Sequence, residues 1–128
     1  MKFFRLWLPV VIWAALIFCF SNIPHLKTNL KYDFILRKIA HVFEYFILTF
    51  LLHRAFKDSF NLNTFYLLIY PFSLSFLYAV SDEVHQLFVP GRVCSIRDIL
   101  TDAIGIAGFY ITINIFRINQ KSKTIHHV

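Results

Sequence analysis

The sequence predicts an all-α fold, a four-transmembrane-helix bundle. Four apolar segments of membrane length run at 4–20, 37–56, 65–86 and 98–116. Of the 128 residues 58% are hydrophobic and only three are glycine, more apolar surface than a soluble domain of this size carries. The basic residues fall in the short connections at 21–36, 57–64 and 87–97, near the ends of the chain, or close to the ends of the second segment (Arg37, Lys38, Arg54), where membrane topology places them. Backbone groups in a bilayer must be satisfied within their own segment, so each span is read as a helix rather than a strand.

The first segment follows Met1-Lys2-Phe3-Phe4-Arg5 and resembles a signal peptide. No small-x-small site follows, since the chain continues Ser21-Asn22-Ile23-Pro24, so it is read as a retained span that also directs insertion. In the second, Arg37, His41, Glu44 and Leu48 are spaced i, i+4, i+7, i+11 and share one face. Glu44 lies ~10 Å deeper than Arg37 at ~1.5 Å per residue, within one leaflet and short of the midplane.

Asn63 or Thr64 is placed to cap the third segment, and Pro71 within it is tolerable in a membrane helix. Tyr78, Asp82 and His85 share a face there, with Glu83 and Gln86 on an adjoining one. Pro90-Gly91 marks a turn, and Ser95-x-x-Asp98 resembles a capping box for the fourth segment. Asp98, Asp102, Gly105 and Phe109 repeat the spacing of the second helix, and Ala103, Gly105, Ala107 and Gly108 offer small faces for close packing. The chain reads as one domain over 1–128, with an ordered core of about 3–117 and a polar tail at 118–128.

A formal charge of +6 invites a nucleic-acid partner, but no basic face with interleaved aromatics exists on a soluble module, so that class is excluded. The expected partner is the lipid bilayer. Lys2, Arg5, Arg54, Lys57, Arg117, Lys121 and Lys123 stand on one side of it. Lys27, Lys31, Arg37, Lys38, Arg92 and Arg97 stand on the other. Arg37, Lys38 and Arg92 adjoin buried acids and are discounted as held by pairing. The remainder favours both termini in the cytoplasm of a multi-pass plasma-membrane protein. Cys19 is read as a small apolar packing residue; it would be able to pair with Cys94 only if both faced outward.

Five of the seven acids, Glu44, Asp82, Glu83, Asp98 and Asp102, lie in or at the ends of apolar segments. Each ionisable group at membrane depth costs about 2.5–3.5 kcal/mol on insertion scales, so each needs a reason to be there. Alternating spans bring them to the same membrane face as His41 and Arg92. Ion pairing that locks the bundle explains any single one; it explains the whole set poorly, because buried pairs are weak contributors to stability. Acids beside His41 can handle protons, and His41 with Glu44 is the candidate catalytic pair. Arg37, Lys38, Tyr45, Asp82, Glu83, Gln86, Arg92, Asp98 and Asp102 are the candidate ligand-binding set. Several carboxylates with a histidine are also able to hold a divalent cation. The sequence has no HExxH, GxSxG or P-loop, and neither cysteine has the partners of a nucleophile. Polar groups beyond the cluster are scattered (Thr49, Ser73, Ser75, Thr112, Asn114), which fits a pocket open to one face better than a channel.

Three separated motifs occur in order. They are Arg37-Lys38-Ile39-Ala40-His41-Val42-Phe43-Glu44-Tyr45, Ser81-Asp82-Glu83-Val84-His85-Gln86-Leu87-Phe88-Val89-Pro90-Gly91-Arg92 and Asp98-Ile99-Leu100-Thr101-Asp102-Ala103-Ile104-Gly105. Together with the Phe20-Ser21-Asn22 exit, this pattern resembles the VanZ-like family of bacterial membrane proteins. One departure is Asp102, where the family pattern carries Asn. The resemblance implies a small integral membrane protein, and the family's founding member is associated with resistance to the glycopeptide teicoplanin. It supplies no reaction. The residues therefore support two main readings, with a metal-stabilised fold as a third. In the first, an outward-facing ionisable pocket binds or modifies a cell-envelope component, such as a lipid-linked or cell-wall ligand. In the second, a non-enzymatic scaffold uses its buried charges to fix helix packing. Oligomeric state is open in both.

Overall fold

The structure is a computed structural model that describes residues 1–23, 32–92 and 94–125. Four helices account for nearly all of them: α1 (Lys2–Ser21), α2 (Asp33–Ser59), α3 (Thr64–Gln86) and α4 (Ile96–Ile125). Among the described residues there is no strand. Part of the first connection, 24–31, lies outside the described residues, as does Val93. Lys27 and Lys31, used above in the charge count, fall there.

Interhelical contacts give the directions. Trp7 Nε1 donates to Ser59 Oγ at 3.0 Å and Trp13 Nε1 to the Glu44 carbonyl at 3.0 Å, so α1 and α2 run antiparallel. Tyr78 donates to the Ala14 carbonyl at 2.6 Å, while Ser21 meets Asp82. These two pairs advance together, so α1 and α3 are parallel. Lys38 with Asp98 and His41 with Asp102 give the same relation for α2 and α4. The result is an up-down-up-down bundle. The end of α1, the start of α2, the end of α3 and the start of α4 share one membrane face.

α2 packs against all three other helices, and its contact with α4 is the most extensive. α1, α3 and the 96–119 part of α4 are long and apolar enough to cross a membrane. α2 is long enough as well, since its 27 residues extend ~40 Å at ~1.5 Å each, and it carries Arg37, Lys38, His41, Glu44, His53 and Arg54 along that length. Its central position turns Tyr45, Leu48, Thr49, Leu52 and Ala55 inward. Polar groups in a central helix face protein instead of lipid.

The core joins Val10 and Ile17 of α1 to Tyr45, Leu48, Leu52 and Ala55 of α2, Ala79 of α3 and Ile106 of α4. Polar clasps cross it. Thr49 Oγ1 donates to the Tyr45 carbonyl at 2.7 Å and contacts Ser75 Oγ at 2.9 Å, and Tyr110 donates to the Leu68 carbonyl at 2.7 Å. Each gives a buried hydroxyl an acceptor where water is absent. Large apolar side chains such as Phe3, Phe4, Phe43, Phe65, Leu77 and Phe116 point outward, as a lipid-facing surface requires.

The local signals resolve in detail. Asn63 caps α3, its side chain accepting the Tyr66 N–H at 3.0 Å. Ser95 caps α4 through Arg97 N–H at 3.2 Å instead of closing a reciprocal box with Asp98, whose carboxylate turns to Lys38. Gly91 has φ 80°, and the Arg92 N–H donates to the Val89 carbonyl at 3.1 Å. With Pro90 before it, this is a type II turn, which needs glycine at that place. α4 continues past the apolar segment to Ile125, and α2 begins at Asp33, which the sequence had placed in a loop. Helices outlast their hydrophobic stretch once water can solvate the polar turns. Cys19 is exposed on α1 rather than packed, and both cysteines are free thiols.

Candidate functional site

The cluster is built from four helix ends. Asp82 and Glu83 on α3 and Asp102 on α4 are buried, the last two with no exposed surface. Ser21, the last residue of α1, donates to Asp82 Oδ2 at 2.6 Å. Gln86 Nε2, one turn on from Asp82, donates to that oxygen at 3.1 Å and to Ser21 Oγ at 3.3 Å. Glu83 Oε2 accepts the backbone N–H of Ser95 at 3.1 Å, which ties the end of α3 to the start of α4. His41 Nδ1 is hydrogen-bonded to Asp102 Oδ1 at 2.9 Å. Lys38 Nζ lies 3.2 Å from Asp98 Oδ1 and donates to Thr101 Oγ1 at 3.3 Å.

Each buried carboxylate thus has one satisfied oxygen. The other oxygens, Asp82 Oδ1, Glu83 Oε1 and Asp102 Oδ2, are buried with no hydrogen-bond partner among the described residues. So is the Tyr45 hydroxyl, which lies within electrostatic range of Asp82, Asp102 and Glu44. An unsatisfied buried polar atom costs about 1–3 kcal/mol, more when charged, so four together demand an explanation. Among the described residues no group of three or more His, Cys, Asp or Glu side chains is arranged to hold a metal ion.

The geometry changes two pairings expected from the sequence. His41 takes Asp102 as its hydrogen-bond partner, while Glu44 interacts with it only through space, alongside Asp82 and Arg92. With Asp102 ionised the ring proton sits on Nδ1, because a carboxylate only accepts. Arg92 turns to α1: its Nε donates to the Ile23 carbonyl and its Nη2 to the Phe20 carbonyl, both at 3.3 Å. A guanidinium there adds a donor to the Phe20 carbonyl, which already accepts the Ile23 N–H at 3.2 Å, and complements the dipole at the end of α1. Arg37 is half-buried one turn before His41. Lys38, Tyr45, Asp82, Glu83, Gln86, Asp98 and Asp102 all reach the same end of the bundle.

Ser21 is the site residue that the sequence reading missed. It stands immediately after the first apolar run, and its burial at 4% was the unseen part. A second pair lies at its edge. Asn22 donates from Nδ2 to the Phe18 carbonyl at 2.7 Å, which presents Oδ1 to His85 Nε2 at 2.9 Å. His85 also lies against the Phe18 ring, with centroids 4.6 Å apart.

Residues 4–117 match the family model described as VanZ/LLP1. The chain belongs to the VanZ/LLP1 family. A relative from Bacillus subtilis (strain 168), the uncharacterized membrane protein YwnJ, is 34% identical over 109 residues, which cover 79% of this chain and 71% of the relative. No solved structure matches. The VanZ/LLP1 match spans all four helix ends that build the carboxylate cluster, and membership makes this a membrane protein.

Proposed function

We propose that this VanZ/LLP1 protein binds or modifies a cell-envelope component at the carboxylate cluster. The carrying observation is the row of three unpartnered carboxylate oxygens and one phenol at a single end of the bundle. Such a row asks for donors, and sugar hydroxyls, ammonium groups and peptide N–H groups supply them. A lipid-linked headgroup, a cell-wall precursor or a lipophilic glycopeptide such as teicoplanin carries those groups, and each has an apolar part that a membrane accommodates. Asp102 holds His41 by Nδ1 and leaves Nε2 for proton exchange, with Glu44 as the nearby second acid or base. Asp82, Glu83, Asp98 and Asp102 face the ligand's donors. Arg92 fixes the turn over the site through the Phe20 and Ile23 carbonyls.

Ligand binding is checked by thermal unfolding of the full chain in detergent. A lipid-linked cell-wall precursor or teicoplanin should raise the midpoint for the wild type. Glu83→Gln and His41→Ala should lose that response while remaining folded. A Glu83→Gln protein that responds like the wild type would sink this reading. The second reading, a scaffold, is favoured by the backbone contact of α2 with Gly105 described below.

The proposed orientation puts the cluster outside the plasma membrane and both termini in the cytoplasm. In a background with Cys19 and Cys94 replaced, Phe88→Cys should be labelled in intact cells by an impermeant thiol reagent, and Asn61→Cys should not. The reverse pattern would place the cluster in the cytoplasm and move the ligand search to cytoplasmic precursors.

A further inference from the structure

The cavity of about 470 Å³ lies away from the carboxylates, between α2 and α4 toward the Ser59 end. That volume falls within the usual range of ligand pockets, ~300–1,000 Å³. Its walls are Phe46, Phe50, Phe109 and Phe116. Its polar side is made by the adjacent His53 and Arg54 and by Lys57 one turn on, with the Asp58 carboxylate beside them. Arg117 on α4 acts electrostatically on His53, so three cations gather against one acid.

Two of the polar groups lack partners. His53 is only 5% exposed, its ring centroid 5.3 Å from that of Phe109, and its Nε2 has no hydrogen bond among the described residues. Arg54 Nε is also buried and unpartnered there. A guanidinium N–H can only donate, so it calls for an acceptor that the described residues do not provide. Aromatic walls below, cations at headgroup level and missing acceptors between them describe one kind of occupant. We propose that this groove holds a membrane phospholipid with a net anionic headgroup. Its phosphate sits on Arg54 and Lys57, whose charge geometry suits phosphate oxygens. Its acyl chain lies along the phenylalanines. The site is separate from the carboxylate cluster and does not depend on what binds there.

The test uses the full chain purified in detergent and titrated with dioleoyl phosphatidylglycerol or dioleoyl phosphatidylcholine. Retained lipid is counted by native mass spectrometry. One phosphatidylglycerol should be retained in preference to phosphatidylcholine. The double variant Arg54→Gln, Lys57→Gln should weaken retention ~10- to 30-fold, as expected for two basic contacts to an anionic lipid. Thr112→Trp fills the groove with every charge left in place, and Thr112 is exposed, so the fold tolerates it. That variant should also lose the lipid. Equal retention of both lipids, or retention unchanged in either variant, overturns the proposal. Displacement of the lipid by millimolar inorganic phosphate alone would also overturn it, by assigning the cations to a free anion.

Discussion

Gly105→Ala should lower the unfolding midpoint of the detergent-solubilised protein by ~5 °C or more, whereas Gly108→Ala should leave it nearly unchanged. The two glycines are three residues apart on α4 but face different surroundings. A Cβ at Gly105 would run into the Val42 carbonyl oxygen of α2, and would also meet the Val42 carbonyl carbon at 3.1 Å and the Phe46 nitrogen at 3.2 Å. Those are backbone atoms, so no rotamer change relieves the clash and the two helices must part. Overpacking of this kind typically costs ~1–3 kcal/mol, and parting α2 from α4 also strains the His41–Asp102 and Lys38–Asp98 contacts one to two turns away. At Gly108 the same Cβ would meet only the Phe46 ring, at 3.7 Å, an ordinary contact. Equal midpoints for the two variants would mean that α2 and α4 are not held in this close approach.

Asp102→Asn should raise stability by ~1 kcal/mol, and Asp102→Ala should lower it by ~2–3 kcal/mol. Asp102 is fully buried and lies within electrostatic range of two further acids, Asp82 and Glu83. Asparagine keeps an oxygen for His41 Nδ1 and removes one of three neighbouring buried acids. Alanine removes the acceptor, leaves His41 without its hydrogen bond and opens a small void. Thermal unfolding of the three proteins checks the order. If the cluster binds an envelope component as proposed, the Asn variant should also bind it less well, since the carboxylate that costs stability is the group a donor-rich ligand meets. A less stable Asn variant would show that the carboxylate serves packing, and would move the balance toward the scaffold reading.

The helices were legible because their signals are local. Membrane-length apolar runs, Asn63 before the third and Pro90-Gly91 before the fourth each specify their element without tertiary help. The convergence of Asp82, Glu83, Asp98 and Asp102 was legible for a related reason: alternating spans leave odd and even connections on opposite faces. Partner choice was not. His41 has Glu44 within one turn on its own helix, and helical spacing favours that pair. The close approach at Gly105 instead brings α4 near enough for Asp102 to reach Nδ1. Charge alone draws Arg92 to the acids, while the type II turn points it at the Phe20 and Ile23 carbonyls at the exit of α1. Ser21 was invisible as a site residue because burial at a helix exit depends on what α3 places opposite it. The groove at His53 and Arg54 also escaped notice, since nothing in the α2 spacing reports how far phenylalanines hold a neighbour away.

The band between the two ends has an electrical consequence. Leu48, Leu52, Ile106 and the mutually satisfied Thr49 and Ser75 leave no chain of unsatisfied polar groups through the middle of the bundle among the described residues. A transmembrane voltage therefore drops mainly across this band, as it does across the surrounding lipid. Each elementary charge carried through that drop would gain or lose about 2.3 kcal/mol per 100 mV. The titratable groups of the cluster sit to one side of it. A proton reaching them from their own face would cross little of that drop.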